Sequence, residues 1–134
     1  MSQGRRLTAA DIMTEHVVTS GPDDDLTGIA GDMQRHNIGS IVIVEHRKIV
    51  GILTERDFVR IVEQVGMLLN KNLARDHMTQ PVITVQSDTP VTDIIKLMRE
   101  KHVRHLIVLG KNGEVAGIIS SRDLMKVATD AMLI

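Results

Sequence analysis

The sequence predicts an α/β (α+β) fold made of two tandem strand–helix–strand–strand–helix units. Three observations lead there. The chain matches itself at an offset of 65 to 66 residues. Each half carries one helical apolar stripe, then paired aliphatic runs, then a second stripe. Each second aliphatic run ends in glycine, two aliphatics, Thr or Ser, two variable residues and Asp.

The self-match begins with Asp11-Ile12-Met13-Thr14, which returns 65 residues later as Asp76-His77-Met78-Thr79. In the same register Val17 meets Val82, Thr19 meets Thr84, Asp23 meets Asp88, Thr27 meets Thr92, and Met33 meets Met98. Gly51-Ile52-Leu53-Thr54-Glu55-Arg56-Asp57 then answers Gly117-Ile118-Ile119-Ser120-Ser121-Arg122-Asp123, now 66 residues on. The added residue falls between Leu109 and Glu114, beside the turn pair Asn112-Gly113. A hairpin loop absorbs such a length change without disturbing its strands. The chain is therefore a tandem duplication, with a first repeat at 8–66, a linker at 67–72 and a second repeat at 73–134.

Within each repeat the elements follow in order. Residues 17–20 and 82–85 are short β-rich runs. Asp23-Asp24-Asp25 and Ser87-Asp88-Thr89-Pro90 supply helix-start chemistry, with Thr89 as N-cap and Pro90 at the first helical position. Leu26, Ile29, Ala30 and Met33 then share one helical face, as do Val91, Ile94, Ile95 and Met98. Strands are expected at Ser40–Glu45 and Lys48–Thr54, and again at His105–Leu109 and Val115–Ser120. Their nearly unbroken Ile, Val and Leu content suits strands covered on both faces. Phe58, Ile61, Val62 and Val65 mark the closing helix of the first half, and Leu124, Val127, Ala128 and Ala131 that of the second. A unit of about 60 residues is marginal alone, so packing two sheet against sheet would complete a core.

Composition narrows the function. Of 134 residues 43% are hydrophobic and 25% charged, which suits a globular protein. Sixteen basic against seventeen acidic residues give a net charge of −1, with no basic footprint for nucleic acid or an anionic membrane. The absence of cysteine removes disulfides, thiolate metal sites and cysteine nucleophiles. Phe58 is the sole aromatic residue, so no stacking platform for single-stranded nucleic acid exists. No run approaches the roughly 18 apolar residues of a membrane helix. A cytoplasmic location is the default expectation.

The strand-ending signature has two readings. Thr54 with Asp57, and Ser120 with Asp123, match a capping box at a strand-to-helix junction. The same geometry makes an anion site, since unpaired N–H groups point outward from a helix start. A hydroxyl and the adjacent Arg56 or Arg122 suit phosphate, and an Asp suits the vicinal hydroxyls of a ribose. Gly51 and Gly117, inside strands, mark close approach of a ligand or another backbone.

These paired motifs resemble a pair of CBS domains over about 11–132. The resemblance implies β-α-β-β-α repeats packed through their sheets as a pseudo-two-fold Bateman module. It also implies a stand-alone sensor that binds AMP, ADP, ATP or S-adenosylmethionine in clefts between repeats and reports ligand state by conformational change. By position, Asp57 and Asp123 would hold ribose, while Thr54, Ser120, Arg56 and Arg122 would face phosphate. The family pattern pairs Thr19 and Val18 with Ser120 and Asp123, and Thr84 and Ile83 with Thr54 and Asp57. Arg104 and His105 occupy a basic position that the family often uses, whereas Gly39 and Ser40 stand at the equivalent place in the first half. The clefts are thus expected to be unequal. The family also implies a homodimer and an unidentified effector protein.

Other chemistries fit less well. His102 and His105 are the only histidines close in sequence, and no supporting ligand set accompanies them, so no metal is expected. Ser120-Ser121 has no partner base in a recognisable motif, which argues against an enzyme. The eight methionines read as core or interface filler. Gly28 and Gly31, inside a helix, suit close helix packing in a dimer. The competing reading is a dimerisation or interaction scaffold with a vestigial cleft.

Overall fold

A computed structural model describes residues 6–132. The elements are α1 (Ala9–Ile12), β1 (Thr19–Ser20), α2 (Leu26–Arg35), β2 (Ser40–Glu45), β3 (Lys48–Thr54), α3 (Glu55–Val65), a 3-10 segment (Gly66–Lys71), α4 (Ala74–His77), β4 (Thr84–Gln86), α5 (Val91–Lys101), β5 (His105–Leu109), β6 (Val115–Ser120) and α6 (Ser121–Met132). The four long strands have the bounds that their aliphatic runs predict. The leading strands are shorter than the β-rich runs at 17–20 and 82–85. The expected linker is itself mostly helical.

Val18–Val82 form one compact unit, and the segment ending at Val17 forms the other with the segment beginning at Ile83. Each leading Asp-x-Met-Thr segment therefore packs within the body of the other repeat. In the Val18–Val82 unit the sheet runs β1-β2-β3, with β1 parallel and β3 antiparallel to β2. Leu26, Ile29 and Met33 of α2 and Ile61 of α3 pack against Ile41, Ile43 and Leu53, with Ala74 of α4 completing the cluster. The other unit repeats this plan as β4-β5-β6. Its core joins Ile94 and Met98 of α5 to Val85, Leu106, Val108 and Ile119, closed by Ala9 of α1.

The helix caps explain the chain's entry into α2 and α5. Asp25 is the N-cap of α2 and accepts a hydrogen bond from Gly28 N at 2.8 Å. In α5 the N-cap is Pro90 rather than Thr89, since Pro90 keeps an extended ψ of 144°. Thr89 instead turns its hydroxyl back to accept from Gln86 N at 3.1 Å, stabilising the preceding turn. Ile95 and Val62, expected on buried stripes, are 41% and 49% exposed. Each follows a fully buried isoleucine, and one residue step turns a side chain about 100° around the helix. Ala128 is likewise exposed, while the side chain of Ala131 lies outside the described residues.

The hairpins differ by the residue that shifts the repeat offset. His46 and Arg47 both adopt positive φ (52° and 65°), as a tight two-residue loop of the primed type requires. In the second hairpin Gly113 carries the positive φ of 79°, and Gly113 N donates to Gly110 O at 3.0 Å.

The exchanged segments are bound by corresponding contacts. Ala9 N donates to Thr89 O at 2.9 Å, and Ala74 N to Asp24 O at 3.0 Å. Thr14 and Ile118 exchange backbone hydrogen bonds of 2.9 and 3.0 Å, and Thr79 and Ile52 exchange bonds of 2.8 and 3.1 Å. Between these bridges, Met13 packs on Gly117 and Met78 packs on Gly51. The strand glycines thus make room for a methionine of the leading motif. At Gly117 a Cβ would also lie 2.8 Å from the backbone Thr14 O. Gly28, by contrast, is exposed, with ordinary contact distances around a Cβ.

These contacts predict unequal mutants. Gly51→Ala and Gly117→Ala should each lower stability by about 1–3 kcal/mol through overpacking. Adding Met78→Ala should restore much of the Gly51→Ala loss, because the three atoms nearest to a Cβ there all belong to that side chain. Adding Met13→Ala should restore less at Gly117, where the Thr14 carbonyl remains. Urea denaturation of both double-mutant cycles measures the difference.

Candidate functional site

Each unit carries one candidate site, at the β3-to-α3 junction in one and at the β6-to-α6 junction in the other. Strand β3 ends at Thr54, and Asp57 stands in the first turn of α3. Thr54 N and Thr54 Oγ1 donate to Asp57 Oδ2 at 2.9 and 3.1 Å, while Asp57 N donates to Thr54 Oγ1 at 3.2 Å. Strand β6 ends at Ser120 with the same pattern. Ser120 N and Oγ donate to Asp123 Oδ2 at 2.8 and 3.2 Å, and Asp123 N donates to Ser120 Oγ at 3.2 Å. Both junctions are therefore capping boxes. Each places a half-buried carboxylate and a hydroxyl at the positive end of a helix.

The residues around the two junctions differ. His105 is the cross-strand partner of Ser120, and Arg104 O accepts from Ser121 N at 2.9 Å. In the other unit Ser40 pairs with Thr54, and Gly39 O accepts from Glu55 N at 3.0 Å. The ladder thus brings Arg104, His105, Ser120, Arg122 and Asp123 to one end of the β4-β5-β6 sheet. The equivalent end of the β1-β2-β3 sheet holds Thr54, Arg56 and Asp57 without the basic pair. Arg56, Arg104 and Arg122 are exposed. Thr19 pairs with Val42, and Val18 O accepts from Val42 N, so both belong to the Val18–Val82 sheet. Thr84 and Ile83 belong to the other sheet, through Ile107.

The carboxylates also differ in their second oxygen. Asp57 Oδ1 accepts from Thr79 Oγ1 at 3.1 Å and from the Arg60 guanidinium at 3.3 Å. Arg60 donates at the same time to His77 O at 3.3 Å. Asp123 Oδ1 has no hydrogen-bond partner among the described residues, and it reaches solvent. Sequence reasoning did not single out Arg60 or Thr79. Arg60 sits one helical turn beyond Asp57, a spacing that could have flagged it. Thr79 is 22 residues away and enters only through the Ile52–Thr79 bridge.

Among the described residues no group of three or more His, Asp or Glu side chains is placed to hold a metal ion. Nor is any described helix long and apolar enough to cross a membrane.

The sequence model of the CBS domain matches residues 9–64 and 74–130. An uncharacterised protein of Methanopyrus kandleri is 38% identical over 124 residues, covering 92% of this chain and 63% of its own length. The chain thus spans less than two thirds of that relative. Among solved structures, a CBS-domain containing protein of Agrobacterium tumefaciens aligns with a TM-score of 0.84 and 32% identity, over 94% of this chain and 96% of its own. The CBS domain pair of protein MJ0100, solved in complex with 5-methylthioadenosine and S-adenosyl-L-methionine, aligns with a TM-score of 0.83 and 26% identity. That alignment covers 95% of this chain and 99% of the other.

The capping geometry predicts stability effects at both junctions. Thr54→Ala and Ser120→Ala should each cost about 1 kcal/mol. Asp57→Ala should cost more than Asp123→Ala, because it also strands the hydrogen bonds from Thr79 and Arg60. Arg60 is 47% exposed, so that difference should stay near ~1 kcal/mol in thermal or urea unfolding.

Proposed function

This chain belongs to the CBS domain family, and we propose that it is a regulatory module whose ligand is an adenosine bearing phosphate, such as AMP, ADP or ATP. The observation that carries the reading is the open Asp123 carboxylate, set beside Ser120, Arg122, Arg104 and His105 at one sheet end. An exposed carboxylate oxygen accepts from a ribose hydroxyl. The α6 N-terminus and the flanking guanidinium groups favour a phosphate. S-adenosylmethionine offers the same ribose but a cationic sulfonium, so the basic groups rank it below the nucleotides. The complex of the MJ0100 domain pair supports an adenosyl ligand class for a related fold. Aliphatic side chains would flank the base, since Phe58 is the only aromatic residue.

The module performs no catalysis in this reading. Ligand occupancy shifts a conformational equilibrium to the extent that the two states differ in affinity, and an effector protein or a second copy senses the shift. A scaffold role is the second reading. It is favoured by Val59, Val62, Met67 and Leu68, exposed at 73, 49, 98 and 53% along α3 and the following 3-10 segment. Such a patch suits association of two copies.

Isothermal titration calorimetry of the nucleotide-stripped protein should show micromolar binding of at least one of AMP, ADP and ATP, weaker binding of S-adenosylmethionine, and loss of both with Asp123→Ala. Silence with all four ligands would transfer the function to the scaffold. Sedimentation velocity then decides that reading, a micromolar monomer counting against it.

A further inference from the structure

We infer that the first junction is occupied by the chain itself, Arg60 and Thr79 acting as internal competitors for the Asp57 carboxylate, so that ligand enters at the second junction alone. The inference rests on the ligand-binding reading above and assigns positioning roles to residues that the signature does not contain.

A ribose held through its hydroxyls needs carboxylate lone pairs. At Asp57 both oxygens are engaged within the Val18–Val82 unit. Oδ2 takes the two donors of Thr54, at 2.9 and 3.1 Å. Oδ1 takes the Thr79 hydroxyl at 3.1 Å and the Arg60 guanidinium at 3.3 Å. Neither donor is casually placed. The Thr79 backbone is fixed by its paired bonds to Ile52, at 2.8 and 3.1 Å. Arg60 is shared between Asp57 and the His77 carbonyl, so it spans α3 and the end of α4. A ligand at Asp57 must displace both donors.

Among the described residues the second junction lacks this competition. Repeat correspondence places Lys126 where Arg60 stands and Thr14 where Thr79 stands. Among the described residues neither donates to Asp123, although Thr14 makes the same backbone bridge to Ile118. The Thr14 bridge therefore exists without the lock. Arg104 and His105 add an independent difference in the same direction, since Gly39 and Ser40 offer no basic group at the first junction.

The test uses the full nucleotide-stripped chain, with AMP, ADP, ATP and S-adenosylmethionine as probes in calorimetry. Wild type should bind one ligand per chain, lost in Asp123→Asn and kept in Asp57→Asn. The double variant Arg60→Met/Thr79→Val removes both donors while leaving the Thr79 backbone bridge. It should bind two ligands per chain, with first-junction affinity raised about tenfold or more. Adding Asp123→Asn to that variant should leave one site, now lost with Asp57→Asn. The single variants, checked by thermal melts, serve if the double variant unfolds, and each should strengthen first-junction binding by a smaller factor. A wild type with two equal sites, a wild-type site lost in Asp57→Asn, or a stoichiometry unchanged by the variants would overturn the inference alone. No heat from any probe with either protein would overturn the binding reading and the inference together.

Discussion

The fold depends on a reciprocal exchange, in which a methionine from each leading segment seats on a strand glycine of the other repeat. Met78 covers Gly51 and Met13 covers Gly117, and a pair of backbone hydrogen bonds beside each contact fixes its register. The glycine removes the Cβ that would occupy the methionine's place. The bridge satisfies strand N–H and C=O groups that a three-stranded sheet would otherwise leave unpaired at its edge. Ala9 and Ala74, both 0% exposed, show how tightly the short helices of these segments are seated. A larger side chain at either alanine would have to displace core atoms. Each unit thus contains a core built from both halves of the duplication, which gives a physical reason for a tandem pair of marginal repeats.

The same exchange sets the chemistry of the junctions. The bridge that positions Met78 also delivers Thr79 to Asp57, and α4 presents the His77 carbonyl to Arg60. Capping and long-range contacts therefore converge on one carboxylate. At Asp57 the donors of the fold consume the acceptor capacity. At Asp123 the capping box is the one set of side-chain hydrogen bonds among the described residues, and it uses one oxygen. Capping and binding are compatible there because a carboxylate has two oxygens and the cap uses one.

The halves keep matching core positions while their junction surroundings differ. The cores are nearly superimposable in residue type: Ile29 answers Ile94, Met33 answers Met98, and Leu53 answers Ile119. The junction surroundings are not. Arg104 and His105 replace Gly39 and Ser40, and Lys126 replaces Arg60. Ser40 is 7% exposed and forms part of the buried strand, whereas Arg104 is exposed. A duplicated chain that keeps its core and varies its helix starts retains two compact units with different junction chemistry.

Much of the local architecture was legible in the sequence because it is set by local physics. Aliphatic runs mark β2, β3, β5 and β6 to the residue, and the helical stripes place Leu26, Ile29, Ile94 and Met98 in the cores. The spacing of Thr54 with Asp57 and of Ser120 with Asp123 announces the capping boxes, since their hydrogen bonds close within one helical turn. Periodicity was less informative at the edges of a stripe, where Val62 and Ile95 lie about 100° past the buried centre and face outward. The exchange of leading segments came only with the tertiary structure. Met13 and Gly117 are visible as repeated residues, but nothing local pairs positions that far apart. The engaged state of Asp57 has the same origin, because Thr79 arrives through a long-range backbone bridge. Sequence by itself determined the repeat, its elements and the two capping boxes. Tertiary packing decided which carboxylate keeps an open oxygen, because a hydrogen bond across the chain depends on where the backbone returns.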